Sequence, residues 1–181
     1  MSRTSSPTLS TDSILGQEFL TWLWYKSDAL PDSFCDTANI PFQLFMEHRV
    51  VVQGGEGDQL ETASVSGALS PLLEARFGLA TGKKVTRASL RLEQNGLSWR
   101  LALKAEDFSV NGLKGPKTEH GDVDDDPDAL LLERIYHMER CMALLDALYS
   151  DFLRLRLSRQ WMDESRNVHT WMTRQAQSNS R

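Results

Sequence analysis

The chain has 181 residues, 40% of them apolar, and a formal net charge of −5. Those numbers allow one packed domain with a helical appendage and exclude a protein that coats polyanions with its entire surface. No run of about 18 apolar residues occurs and no secretion signal opens the sequence, so a cytoplasmic protein without a membrane partner is expected.

Residues 1–12, rich in Ser and Thr, are expected to be a disordered tail. Residues 14–28, ILGQEFLTWLWYKSD, hold two of the five tryptophans. Leu15, Phe19, Trp22 and Leu23 make one stripe at helical spacing, with Leu20 and Trp24 beside it. A helix apolar around most of its surface is buried by other elements, here the apolar side of the hairpin described below, at Trp99 and Leu101. After a polar loop at 29–39, the segments 42–46 and 50–52 read as strand. Glu47, His48 and Arg49 between them are either a tight hairpin turn or part of one long bent strand. The glycines at 54, 55 and 57 mark a turn, and 59–66 reads as another strand. Ser70 and Pro71 look like the N-cap and first position of a helix that ends at Gly82.

The sharpest local signal follows. Segments 84–94 and 97–105 flank Asn95-Gly96, the pair that best fits the two positive-φ positions of a tight hairpin turn. A two-residue turn fixes register, so Leu92 faces Trp99, Leu90 faces Leu101 and Ala88 faces Leu103 on one side. On the other side Arg91 falls opposite Arg100, and Arg87 opposite Lys104. Like charges directly opposed on a sheet are unfavourable, so this ladder calls for an anion. One source is a phosphate ligand; the other is acids on a neighbouring strand, such as Glu47 or Glu61. Lys83 and Lys84 before the ladder, and Lys114 and Lys117 after it, extend the patch if they lie on the same side. From 83 to 117 there are eight cations and three acids, whereas 119–128 holds six acids and neither Lys nor Arg.

Residues 108–117 read as a loop or short edge strand. A long helix then starts near Asp128, with Asp126 and Pro127 at its N-terminus. Ile135, Met138, Met142, Leu145, Tyr149 and Phe152 recur at alternating steps of three and four, a heptad seam. The seam either packs on the chain's own sheet or is a dimer interface. A break at 158–160 separates it from a last amphipathic helix at 161–171. The elements sum to an α+β fold: an antiparallel sheet with an Asn-Gly hairpin, packed on the N-terminal Trp-rich helix and the long C-terminal helices. The expected segments are the tail 1–12, an α+β domain 13–118, an acidic linker 119–127, a helical segment 128–174 and a polar tail 175–181.

Catalytic and metal signatures are thin. No Gly-x-Ser-x-Gly elbow occurs, and Thr81-Gly82-Lys83-Lys84 lacks the first Gly and the final Ser or Thr of a P-loop. Cys35 and Cys141 are expected to be free thiols. His137 and Cys141 lie four apart on one helix without a second pair to complete a metal site. Asp122, Asp124, Asp126, Asp128 and Glu133 match acidic positions of a calcium loop, but Pro127 replaces the Gly its turn requires. No cofactor, no metal and no enzymatic activity are expected.

The successive blocks ILGQEFLTWLWYKSD, FMEHRVVVQGGEGD, TGKKVTRASLRLEQ, LALKAEDF, GLKGPK and LLERIYHMERCMALLDALYSDFLRLRLS, spanning Ser13 to Met172, resemble the C-terminal half of recombination-associated RdgC-like proteins of bacteria. The N-terminal half of that family has no counterpart here, which implies a shortened version or a separate N-terminal-half subunit. The resemblance implies a non-enzymatic, nucleoid-associated homodimer that holds double-stranded DNA in a basic channel without sequence preference and restrains RecA. On that expectation Arg87, Arg91, Arg100 and Lys104 contact phosphates, with Lys83, Lys84, Lys114 and Lys117 in support. The rival expectation is a protein–protein scaffold module that docks its partner through the long helix, with no nucleic-acid contact.

Overall fold

The structure, a computed structural model, describes residues 11–54, 61–66, 75–76, 78–116 and 127–177. In chain order these are helix α1 (Thr11–Ala29), strands β1 (Gln43–Gly54), β2 (Glu61–Ser66), β3 (Lys84–Gln94), β4 (Leu97–Lys104) and β5 (Val110–Lys114), and helices α2 (Pro127–Arg156) and α3 (Trp161–Gln177). The strands form one antiparallel sheet in the order β2-β1-β3-β4-β5. The fold is α+β, with the N-terminal helix and the C-terminal helices supplying the helical component.

The Asn95-Gly96 turn has φ of 51° and 78° at its two central residues, the geometry that tolerates Asn and favours Gly. It imposes the expected pairs Leu92–Trp99, Leu90–Leu101 and Ala88–Leu103, and on the opposite side Arg91–Arg100 and Arg87–Lys104. Burial alternates along β3, with Val85, Ala88, Leu90 and Leu92 buried. Of the two alternatives for residues 47–49, one long strand is the outcome. β1 runs unbroken through them, and the register jumps from Met46–Leu90 to Val50–Ala88. Three β1 residues thus oppose Ser89 alone, an enlarged β-bulge of the kind that bends a strand and re-aims its side chains. Of the loop or short edge strand expected at 108–117, the edge strand is the outcome over Val110–Lys114, which is β5. The helix expected from Ser70 falls partly outside the described residues; backbone at 75–76 and 78–80 is helical, and Gly82 follows it at φ 91°.

α1 lies across β3 and β1 on the apolar side of the sheet. It approaches so closely at Gly16 that a Cβ there would run into the carbonyl oxygen of Ala105, just past β4. Trp22 and Trp24 are buried, as the stripe predicts. Their company differs from the expectation at Trp99. Trp22 packs at 5.5 Å on Phe152 of α2 and donates its indole N–H to Glu164 of α3 at 3.0 Å. Trp24 meets Trp171 of α3 edge-on at 5.8 Å. Trp99 belongs to α2 instead, donating to the carbonyl of His137 at 2.9 Å. α1 is therefore the middle of a helical layer, sandwiched between the sheet and the two C-terminal helices.

The seam of α2 divides in two. Its C-terminal half is core: Phe152 and Leu145 are buried and Tyr149 is half-buried, beside buried Cys141, Leu144 and Leu148. Its N-terminal half is not: Ile135, Met138 and Met142 are exposed, together with Leu131, Leu132 and Tyr136. What holds that half down is polar. Arg140 donates to Asp36 at 2.5 Å and also to Gln94. Asp36 in turn accepts the backbone N–H groups of Ala38 at 2.9 Å and Ile40 at 2.8 Å. One carboxylate thereby ties the loop before β1, the tip of the hairpin and α2 together.

Candidate nucleic-acid interface

All the helices described pack on one side of the sheet, and no described element covers the other. The cations predicted from hairpin register stand on that uncovered side. Cross-strand pairing aligns Phe45 of β1, Arg91 of β3, Arg100 of β4 and Lys114 of β5 in one row. A second row, four residues along β3, aligns Val51, Arg87 and Lys104. At about 3.4 Å per residue the rows are ~14 Å apart, and at ~4.8 Å per strand the first extends ~10 Å from Arg91 to Lys114.

The supporting lysines divide by the same geometry. Lys114, exposed on β5, joins the patch beside Arg100. Lys84 does not: it lines a groove on the helical side with Glu18, Thr21 and Trp161. Lys83 lies against the backbone of Gly54 and Gly78 at the start of β3. Lys117 and the acidic linker up to Asp126 lie outside the described residues, as do Asp122, Asp124 and Asp126 of the calcium-loop pattern. The register also shifts here: Val51 pairs with Arg87 and Val52 with Val85, leaving Thr86 as an extra residue in β3.

Of the two sources of counter-charge considered from sequence, an acid on the neighbouring strand is present among the described residues. Glu47, on the β1 bulge, accepts from Arg91 Nε at 2.9 Å and lies 3.9 Å from Arg100 Nε. Arg91 is also paired with Glu93, and its guanidinium rests on the Phe45 ring at 4.1 Å. Arg91 is thus neutralised within the chain. Arg100 is held more loosely: Glu47 approaches it only to 3.9 Å and its side chain is 65% exposed. At the other row, Arg87 Nε is buried with no hydrogen-bond partner among the described residues. Asp107 lies within electrostatic reach of Lys104, and its carboxyl is held below the usual range mainly by hydrogen bonds from Ser109. The patch therefore carries five cations (Arg87, Arg91, Arg100, Lys104 and Lys114) against Glu47 and Glu93 within it and Asp107 at its edge.

Phe45 and Glu93 were not singled out from sequence. Their signal was the two-residue alternation of β1 and β3, which puts Phe45 in the arginine row and Glu93 two positions beyond Arg91. Among the described residues, no group of three or more His, Cys, Asp or Glu side chains is placed to hold a metal ion, and no helix is long and apolar enough to cross a membrane. Cys141 is buried, which pushes its thiol up to about 11 and away from nucleophilic or ligand chemistry. Comparison with protein-family models, curated proteins and solved structures returns no match.

Proposed function

We propose that this chain is a non-enzymatic protein that binds double-stranded DNA through the uncovered face of its sheet, without sequence preference. The observation that carries this is the pair of cation rows, Arg91–Arg100–Lys114 and Arg87–Lys104, on a side of the sheet to which the described helices contribute no cover. Their spacing of ~14 Å is close to the ~12 Å width of the major groove, so each row has one phosphate backbone within reach. Guanidinium and ammonium groups facing phosphates fix position and orientation but carry no base information. Five cations aligned on one face of an overall acidic chain give a polyanion a local site there. The similarity of the successive sequence blocks to RdgC-like recombination proteins points the same way and favours a role in recombination or nucleoid organisation.

The test is a salt titration of duplex affinity. Four phosphate contacts predict a log–log slope of about −3.6, at about −0.9 per contact. Charge reversal at Arg87, Arg100 and Lys104 is expected to abolish binding in a chain that still folds, as circular dichroism checks. Absence of duplex binding by the wild-type chain at low salt overturns the reading, as does unchanged binding by a folded triple variant.

A second observation concerns assembly. Leu131, Ile135, Met138 and Met142 form an exposed d-a-d-a stripe on α2, flanked by exposed Leu132 and Tyr136. Contiguous exposed apolar surface of this kind marks an interaction site. The flanking charges favour a second copy in parallel orientation. In that arrangement Arg134 at position g meets the partner's Glu139 at position e, twice by symmetry. An antiparallel pair centred on Met138 sets the two Glu139 side chains together instead. The scaffold role is thus a complement to DNA binding, since the stripe and the cation rows occupy different elements.

A further inference from the structure

Glu47 lies two residues beyond Phe45 on β1, and alternation puts it on the same side of the sheet as Phe45 and Arg91. Its carboxylate stands between the two arginines at the centre of the basic patch, 2.9 Å from one and 3.9 Å from the other. That is the place a phosphate oxygen would take if both arginines bound the same anion. The carboxylate is itself accessible, with 23% of the Glu47 side chain exposed. Its hold is unequal. It makes a direct hydrogen bond to Arg91, which Glu93 and the Phe45 ring also fix, and only a long electrostatic contact to largely exposed Arg100.

We infer that Glu47 is an intramolecular competitor for the phosphate position between Arg91 and Arg100, and so limits the affinity of the sheet face for a polyanion. This rests on the DNA-binding reading above. A phosphate must displace the carboxylate before it can pair with both arginines, so part of the attraction is spent on separating an existing ion pair. The consequence is a protein that holds DNA weakly enough to release it, with Arg87, Lys104 and Lys114 supplying contacts that Glu47 does not touch. Glu93 plays a lesser part because it pairs with Arg91 alone.

The experiment compares Glu47→Gln with wild type in duplex-binding titrations across salt. Glu47→Gln keeps the side chain's size and its hydrogen-bonding amide oxygen while removing the charge. It is expected to bind about tenfold more tightly, with a slope steeper by about 1 as the fifth cation of the patch becomes available to phosphate. Glu106→Gln, the same charge change at an exposed site beyond β4, controls for net charge and is expected to change affinity by less than about twofold. Adding Arg100→Gln to Glu47→Gln is expected to remove the gain. Equal affinity and slope for Glu47→Gln and wild type overturn the inference, as does an equal gain from Glu106→Gln. Either outcome leaves the wild-type titration, which judges DNA binding itself, standing. Should Glu47→Gln fail to fold, Glu47→Ala carries the same expectation in a variant without the amide.

Discussion

At the scale of single residues, the most connected side chain is Asp36. Its two oxygens accept from Ala38, Ile40, Arg140 and Gln94, joining positions up to 104 residues apart. The backbone N–H of Ile40 is the chief cause that holds its carboxyl down from 3.8 to about 2, and Arg140, Gln94 and Ala38 add to it. A depressed carboxylate contributes stability that is present above its unfolded value and is lost as pH falls through its folded value. The predicted window is therefore between about pH 3.8 and 2. Thermal melts are expected to show wild-type stability falling across that interval. Asp36→Asn is expected to be less stable at neutral pH, with a shallower acid dependence. None of this was visible in the sequence. Asp36 stands in a polar loop that resembles any other, and its partners lie 58 and 104 positions away. By contrast, the Arg91–Arg100 and Arg87–Lys104 pairs were legible residue by residue, because a two-residue turn leaves the register no freedom.

At the scale of elements, periodicity predicted α1, α2 and the hairpin strands well because each has a strong local pattern. It said less about which element covers which. Trp99 was assigned to α1 from hydrophobicity alone, whereas α2 takes it by accepting its indole N–H. The seam of α2 is a uniform heptad in sequence and yet half core and half surface in the fold, because α1 packs on its C-terminal half, through Phe19 and Trp22 against Tyr149 and Phe152. Close approach is likewise invisible to pattern reading: Gly16 interrupts an apolar run, and only the packed structure shows that it lets α1 reach the Ala105 carbonyl. Gly16→Ala would raise helix propensity in isolation. Here the new methyl meets backbone rather than a flexible side chain. The expected outcome is a net destabilisation of about 1–3 kcal/mol, measured by urea denaturation with an unchanged m-value. A stabilised variant would mean that α1 docks less closely than described.

At the scale of the whole molecule, the described elements leave two surfaces open: the cation rows on the sheet and the apolar stripe on α2. They make separable predictions. Ile135→Glu with Met142→Glu puts like charges into the stripe, where both positions are already exposed. Molecular mass from light scattering is expected to drop from dimer to monomer in this variant, with the melting temperature little changed for exposed sites. A wild-type mass equal to one chain at all concentrations would rule out self-pairing through α2. Charge reversal at Arg87, Arg100 and Lys104 should leave the mass untouched. The overall α+β architecture was legible because strand, turn and helix signals agree along the chain. That no described helix covers one sheet face was not legible, because sequence shows that a strand alternates but not whether its polar side meets solvent or another layer.

The hairpin that carries the cations has its other side in the core. Leu90 and Arg91 are consecutive on one backbone, as are Trp99 and Arg100, and the apolar member of each pair is buried. The backbone under the cations is therefore among the last parts of the chain to open, since core strands exchange only through global unfolding. A polyanion arriving at this face meets side chains whose Cα positions are already set, and association demands rotamer ordering but almost no backbone ordering. Binding affinity on such a surface is insulated from loop dynamics: changes elsewhere in the chain reach it only by altering the stability of the fold as a unit.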